Sequence, residues 1–161
     1  MTPPDLDAVY RTHAKRLVAV ALQLTGSHAL AEDAVQEAFV SAHKAAKSFR
    51  DESSPETWLY RIAIRAANRL RLKQDANARR DASHVRSDAH ASDTGELDAL
   101  RRAIDGLPEE LRLVVILMNL RDLPAALVGE ILNIPEGTVW SRAYRARKAM
   151  RASMSEEAVD A

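Results

Sequence analysis

Between Lys73 and Gly95 the chain carries one large apolar side chain, Val85, in a stretch rich in alanine, aspartate, serine, arginine and histidine. Such a segment buries too little surface to offset the entropy lost on ordering, so the sequence predicts a flexible tether there. Folding is then confined to two small units, residues 1–72 and residues 96–161, joined by a linker over 73–95. Both flanks show helical spacing of apolar residues and neither shows the alternation of a strand. The expected fold class is all-α: a three-helix bundle followed by a four-helix unit with a short C-terminal tail.

In the first unit, Leu6, Val9, Tyr10, Leu17, Val20 and Leu24 make the inner face of a helix over about residues 5–24. Thr25-Gly26-Ser27 supplies a stop, a turn and a cap for the next helix. That second helix, over about 28–48, is expected to bury Leu30, Ala34, Val35, Ala38, Phe39 and Ala42. Ser53-Ser-Pro-Glu56 offers a capping box with proline in the first turn of a third helix. Trp58, Leu59, Ile62, Ala63, Ala66 and Leu70 form its inward stripe, while Arg61, Arg65, Asn68 and Arg69 fall on other faces.

The second unit opens with an amphipathic helix carrying Leu97, Leu100 and Ile104 and ending at Gly106. Leu107-Pro108-Glu109-Glu110 starts another, its acids complementing the helix dipole. Seven of the eight residues Leu113–Leu120 are apolar, which exceeds one buried stripe. That run either reaches a partner or is buried completely in a tight four-helix unit. The segment from Ala125 to Lys148 then reads as helix, turn, helix. Leu127, Val128, Ile131 and Leu132 face inward, Pro135 suits the start of the second helix, and Val139 points back at the first. Arg142, Arg145, Arg147 and Lys148 are left for phosphates and base edges. A helix presented this way fits the DNA major groove.

Charge agrees with that reading only when its distribution is considered. The chain is neutral overall, with 23 basic and 23 acidic residues. Residues 61–80 nevertheless hold Arg61, Arg65, Arg69, Arg71, Lys73, Arg79 and Arg80 against one acid, Asp75. Residues 142–151 hold five basic residues and no acid. Segregation of this kind, rather than net charge, decides where a polyanion binds. The chain has no cysteine, which excludes disulfides and thiolate metal sites. Its histidines lack metal spacing, there is no glycine-rich phosphate loop, and no nucleophile–base pair stands out. No enzymatic activity, metal or cofactor is therefore expected. No apolar run approaches a membrane span and the N-terminus lacks signal-peptide regions, so a cytoplasmic location is expected.

Two segments together resemble the sigma-70 family of bacterial transcription initiation factors, in its small two-domain extracytoplasmic function (ECF) group. Ala31-Glu-Asp-Ala-Val-Gln-Glu-Ala-Phe-Val40 with Glu56-Thr-Trp-Leu-Tyr-Arg-Ile-Ala-Ile-Arg65 is similar to the family's region 2. Leu107-Pro-Glu-Glu-Leu-Arg112 with Ile134-Pro-Glu-Gly-Thr-Val-Trp-Ser-Arg142 and Arg145-Ala-Arg-Lys148 is similar to region 4. The resemblance implies that Asp33, Gln36, Glu37 and Val40 dock on a coiled coil of the core polymerase clamp. It implies that loop 50–54 and Arg61, Arg65, Asn68 and Arg69 bind the −10 promoter element, where an extruded base is held in a pocket. It further implies that Thr138, Trp140, Ser141, Arg142, Tyr144, Arg145 and Arg147 meet the −35 element as duplex. An anti-sigma factor is a partner the family commonly uses. Trp58 lies on the apolar stripe and is expected in the core rather than as a stacking platform.

The sequence departs from the family pattern at several points. Trp140 stands where relatives usually carry a basic residue, Ala126-Leu127 where they often carry two acids, and Gly129 where alanine is usual. Arg65 stands where several relatives have asparagine. A glycine inside a helix costs about 0.5–1 kcal/mol relative to alanine. Two other readings stay open at this point: a free-standing helix-turn-helix regulator whose first unit senses a ligand or dimerises, and an interaction protein that sequesters polymerase or a partner.

Overall fold

Gly26 ends the first helix in the left-handed conformation, with φ 69°, and its N–H donates to the Leu22 carbonyl at 2.8 Å. Only glycine adopts that conformation at little cost. The computed structural model to which this turn belongs describes residues 5–50, 52–80 and 95–160. Helix α1 spans Leu6–Thr25 and is capped by Asp5, whose carboxylate accepts from the Ala8 N–H at 3.1 Å. Helix α2 spans His28–Ala45 and is capped by the Ser27 hydroxyl, with a 3₁₀ turn over Ala46–Ser48 after it. Helix α3 spans Pro55–Arg80.

Its cap is Ser54 rather than the expected Ser53. The Ser54 hydroxyl accepts from the Thr57 N–H at 3.1 Å and donates to Thr57 Oγ1 at 2.9 Å. Proline confines the residue before it to extended backbone, which is the N-cap conformation, so Pro55 places the cap at Ser54. Glu56 turns instead to His13 on α1, at 3.3 Å.

α1, α2 and α3 pack on one another around Leu17, Val20, Val35, Leu59 and Tyr60. Alanines at 31, 34, 38, 42, 63 and 67 are buried between them and let the backbones approach closely. The buried face of α3 is wider than expected, because Thr57, Tyr60, Ile64 and Ala67 join Leu59, Ala63 and Ala66. Trp58, Ile62 and Leu70 are only half-buried. Trp58 packs against Phe49 with the rings tilted by 50° and their centroids 5.1 Å apart, so it serves the rim of the bundle.

α3 also runs on to Arg80, past the expected boundary after Leu72. Lys73, Gln74, Ala76, Ala78 and the two arginines are good helix formers, and extending an existing helix is cheap even where no core exists. Of the expected tether, residues 81–94 lie outside the described residues.

The chain divides into two compact units, and the second begins in the description at α4, Gly95–Asp105. Ile104, Leu107, Leu111, Val115 and Ala146 form a core cluster in it, with Leu100 and Met150 partly buried against that cluster. Leu97 is 40% exposed and does not join it. Helix α5, Glu109–Val115, opens at Pro108 and passes into a wider π turn over Ile116–Leu120. Val114, Val115, Ile116 and Leu117 are all buried, a run of four that an ordinary helical stripe does not accommodate. The widened turn lets the apolar run be used within its own unit. Asp122 (φ 53°) reverses the chain into α6, Ala125–Leu132, which ends on Asn133 in the left-handed region (φ 55°). Helix α7, Glu136–Asp160, starts from Pro135, whose carbonyl accepts from the Thr138 and Val139 N–H groups.

Gly129 sits at the tightest point of this corner. A Cβ added there would lie 2.8 Å from the Ile134 carbonyl oxygen and 3.6 Å from a Val139 methyl. The glycine that weakens α6 as an isolated helix is therefore what lets α7 close on it. Gly129→Ala is expected to lower the unfolding free energy by about 1–3 kcal/mol, the overpacking penalty exceeding the gain in helix propensity. Urea denaturation followed by helical circular dichroism checks this, and a neutral or stabilising result contradicts the close approach.

Candidate nucleic-acid interface

α7 packs on α4, α5 and α6 through small residues, with Val139, Ala143 and Ala146 wholly buried. Since α-helical residues advance by about 100° each, the opposite arc is forced outward. Trp140, Ser141, Tyr144, Arg145 and Lys148 are exposed, and Thr138, Arg142 and Arg147 are half-buried. All seven sequence-predicted residues of this helix thus share the sides of α7 away from its core stripe.

Their side chains differ in freedom. Arg142 pairs with Glu110 on α5 at 3.5 Å, the two side chains being 23% and 49% exposed. The Trp140 indole N–H donates to Glu136 Oε1 at 3.4 Å, and the Ser141 hydroxyl donates to the Thr138 carbonyl at 3.4 Å. Glu110 and Glu136 were legible only as acids in the first turns of their helices. Their partners on the basic face depend on how α5 and α7 pack and on which turn of α7 faces out.

On the first unit, Asp33, Gln36, Glu37 and Val40 are exposed along α2, Val40 at 50%. Arg65 and Arg69 are exposed on α3, while Arg61 and Asn68 are half-buried. Glu37 and Arg69 form an ion pair between the two helices. The acidic stripe and the basic face are therefore adjoining surfaces of one bundle, an arrangement that residue spacing within either helix does not reveal. Among the described residues no group of His, Cys, Asp and Glu is placed to hold a metal ion.

Two helical units, one of them a helix-turn-helix with a cationic outer arc, define a DNA-reading protein. Comparison with known proteins gives the family. Sigma-70 region 2 matches residues 9–77 and Sigma-70 region 4 matches residues 97–150. The chain is 35% identical over 135 residues to the ECF RNA polymerase sigma-E factor of Escherichia coli K12, covering 73% of this chain and 70% of that protein. It is likewise 35% identical over 136 residues to the sigma-E factor of Haemophilus influenzae, covering 72% and 70%. In fold it matches the sigma factor RpoE solved with the anti-sigma factor NepR from Bartonella quintana, with a TM-score of 0.68 at 23% identity over 94% of this chain and 97% of that one. A similar match, at TM-score 0.67 and 20% identity over 94% and 88%, is to CnrH solved with the cytosolic domain of CnrY. The chain belongs to the sigma-70 family, in its ECF group. It is a promoter-recognising transcription initiation factor and not an enzyme.

The Glu110–Arg142 pair has a measurable consequence. If Arg142 meets a phosphate, Glu110→Gln frees its guanidinium for that contact, and affinity for non-cognate duplex should rise by up to about fivefold, the upper range for a partly exposed pair. The log–log salt dependence should steepen by about 0.9, one phosphate contact. Fluorescence anisotropy titrations at several salt concentrations read both quantities, and an unchanged slope means that Arg142 does not reach a phosphate.

Proposed function

We propose that this sigma factor divides its work between the two units as the surfaces just described suggest. The α2 stripe of Asp33, Gln36, Glu37 and Val40 docks on the polymerase clamp. The adjoining α3 face, with Arg61, Arg65, Asn68 and Arg69, holds the −10 element. The outer arc of α7, with Thr138, Trp140, Ser141, Arg142, Tyr144, Arg145 and Arg147, lies in the major groove of the −35 element. The observation that carries this reading is the packing of α7: small buried residues on one side leave a nearly acid-free polar and cationic arc on the other. Phosphate contacts from that arc supply affinity and register, while base edges supply the sequence preference.

Under this proposal the domains follow the family division, region 2 in the first unit and region 4 in the second. The protein acts in the cytoplasm, where its polymerase and promoters are; no helix among the described residues is long and apolar enough to cross a membrane. An anti-sigma factor that covers both units is the proposed means of control, supported by the resemblance to a group in which such partners are common.

The docking stripe and the −10 face are separable by substitution because their side chains lie outside the core. Asp33→Ala with Val40→Asp should weaken binding to core RNA polymerase by about tenfold, the loss of a charge-assisted hydrogen bond or more. Its thermal unfolding should be unchanged. Arg61→Ala with Arg65→Ala should bind core polymerase normally but open promoter DNA poorly. Polymerase affinity measured by biolayer interferometry and opening measured by permanganate reactivity distinguish the two. Undiminished polymerase binding by the α2 variant would contradict the assignment of that stripe.

A further inference from the structure

Two aromatic side chains on α7 stand in solvent, Trp140 at 52% and Tyr144 at 62% exposure. They are one helical turn apart on one side of the helix, so they form a single apolar patch. The indole is biased toward one orientation by its hydrogen bond to Glu136, a turn earlier. With residues advancing by about 100° each, the exposed arc runs from Trp140 and Tyr144 through Lys148 and Ser141 to Arg145 and Arg142. The patch is thus one edge of the face whose other edge carries arginines. No acid lies between Gly137 and Ala152; Glu136 is bonded to the indole and Glu110 to Arg142, and the remaining basic side chains along the arc suit a polyanion.

Arginine and serine meet the nitrogen and oxygen atoms of base edges. The one apolar group the major groove displays is the C5-methyl of thymine. We infer that Trp140 and Tyr144 are specificity determinants for thymine, covering its methyl groups in the −35 duplex; the inference rests on the assignment of α7 to that groove. A cation at position 140 would draw on the phosphate backbone instead. The aromatic residue exchanges that general attraction for a preference between bases. Burying one methyl corresponds to a preference of about three- to fivefold for thymine over the same base without it.

The test uses full-length protein bound to core RNA polymerase and a pool of duplex promoter fragments with a randomised −35 window. The enriched duplex is remade with deoxyuridine in place of each thymidine in turn, which removes only the methyl and keeps every hydrogen-bonding atom. At one or two positions the native protein should lose retained complex by about three- to fivefold, as the methyl burial requires. Trp140→Ala with Tyr144→Ala should show no thymine–uracil difference there. Trp140→Lys, which places a cation there, should retain the duplex as well as the native chain yet lose the methyl dependence at its own position. Equal retention of thymine and uracil duplexes by the native protein overturns the inference while leaving −35 reading in place. Failure to enrich any −35 sequence overturns the groove assignment itself. A double variant that still binds polymerase and keeps the native thymine–uracil difference also overturns the inference.

Discussion

The close packing of α7 is the constraint on which the second unit depends. Val139, Ala143 and Ala146 are wholly buried, and Gly129 leaves no Cβ between α6 and the turn into α7. Because these contacts are made by small groups, the helix backbone lies close to its neighbours. Its other side chains are then available in fixed directions. A larger residue in that stripe would tilt the helix and move every arginine on the outer arc together. The precision of a groove reader is in this sense a property of its alanines.

The first unit applies a related device to a different end. Its helices meet through alanines at 31, 34, 38, 42, 63 and 67, which leaves α2 and α3 close enough for Glu37 to pair with Arg69 across the surface. Under the proposed division of labour, that pair joins the polymerase-docking stripe to the promoter-facing residues. An exposed pair of this kind contributes at most about 1 kcal/mol. Its interest lies in adjacency: whatever engages Glu37 also changes the charge environment of Arg69. Neither unit need bind DNA tightly, since attachment to polymerase and to each other raises the effective concentration of each reader at its element.

Much of this was legible in the residues. The all-α class, the position of Gly26, the inward Val139 and the outward arc of α7 follow from spacing, capping and turn chemistry, which are local properties. What escaped was set by contacts between elements or by competing local rules. Trp58 sits on an apolar stripe, but Phe49 from the preceding loop draws it to the rim of the bundle. Residues 73–80 lack core-forming side chains, and helix propensity carried α3 through them regardless. Pro55 moved the cap of α3 by one residue through its restriction on Ser54. Gly129, read alone, is a weak point in a helix; only the distance to Ile134 turns it into a requirement. The Glu110–Arg142 pair joins two residues 32 positions apart in sequence, on different helices, and gives no local signal.

As a sigma factor, this chain gives core RNA polymerase a promoter preference that the enzyme lacks alone. Run-off transcription from a pool of genomic promoter fragments, with core polymerase in the presence and absence of the purified protein, tests it most directly. Selective transcripts are expected that vanish without the protein and share two sequence elements at fixed spacing upstream of their starts. Tight binding of the protein to duplex DNA with no polymerase association and no transcript would contradict that role, and would identify the chain as a free-standing regulator.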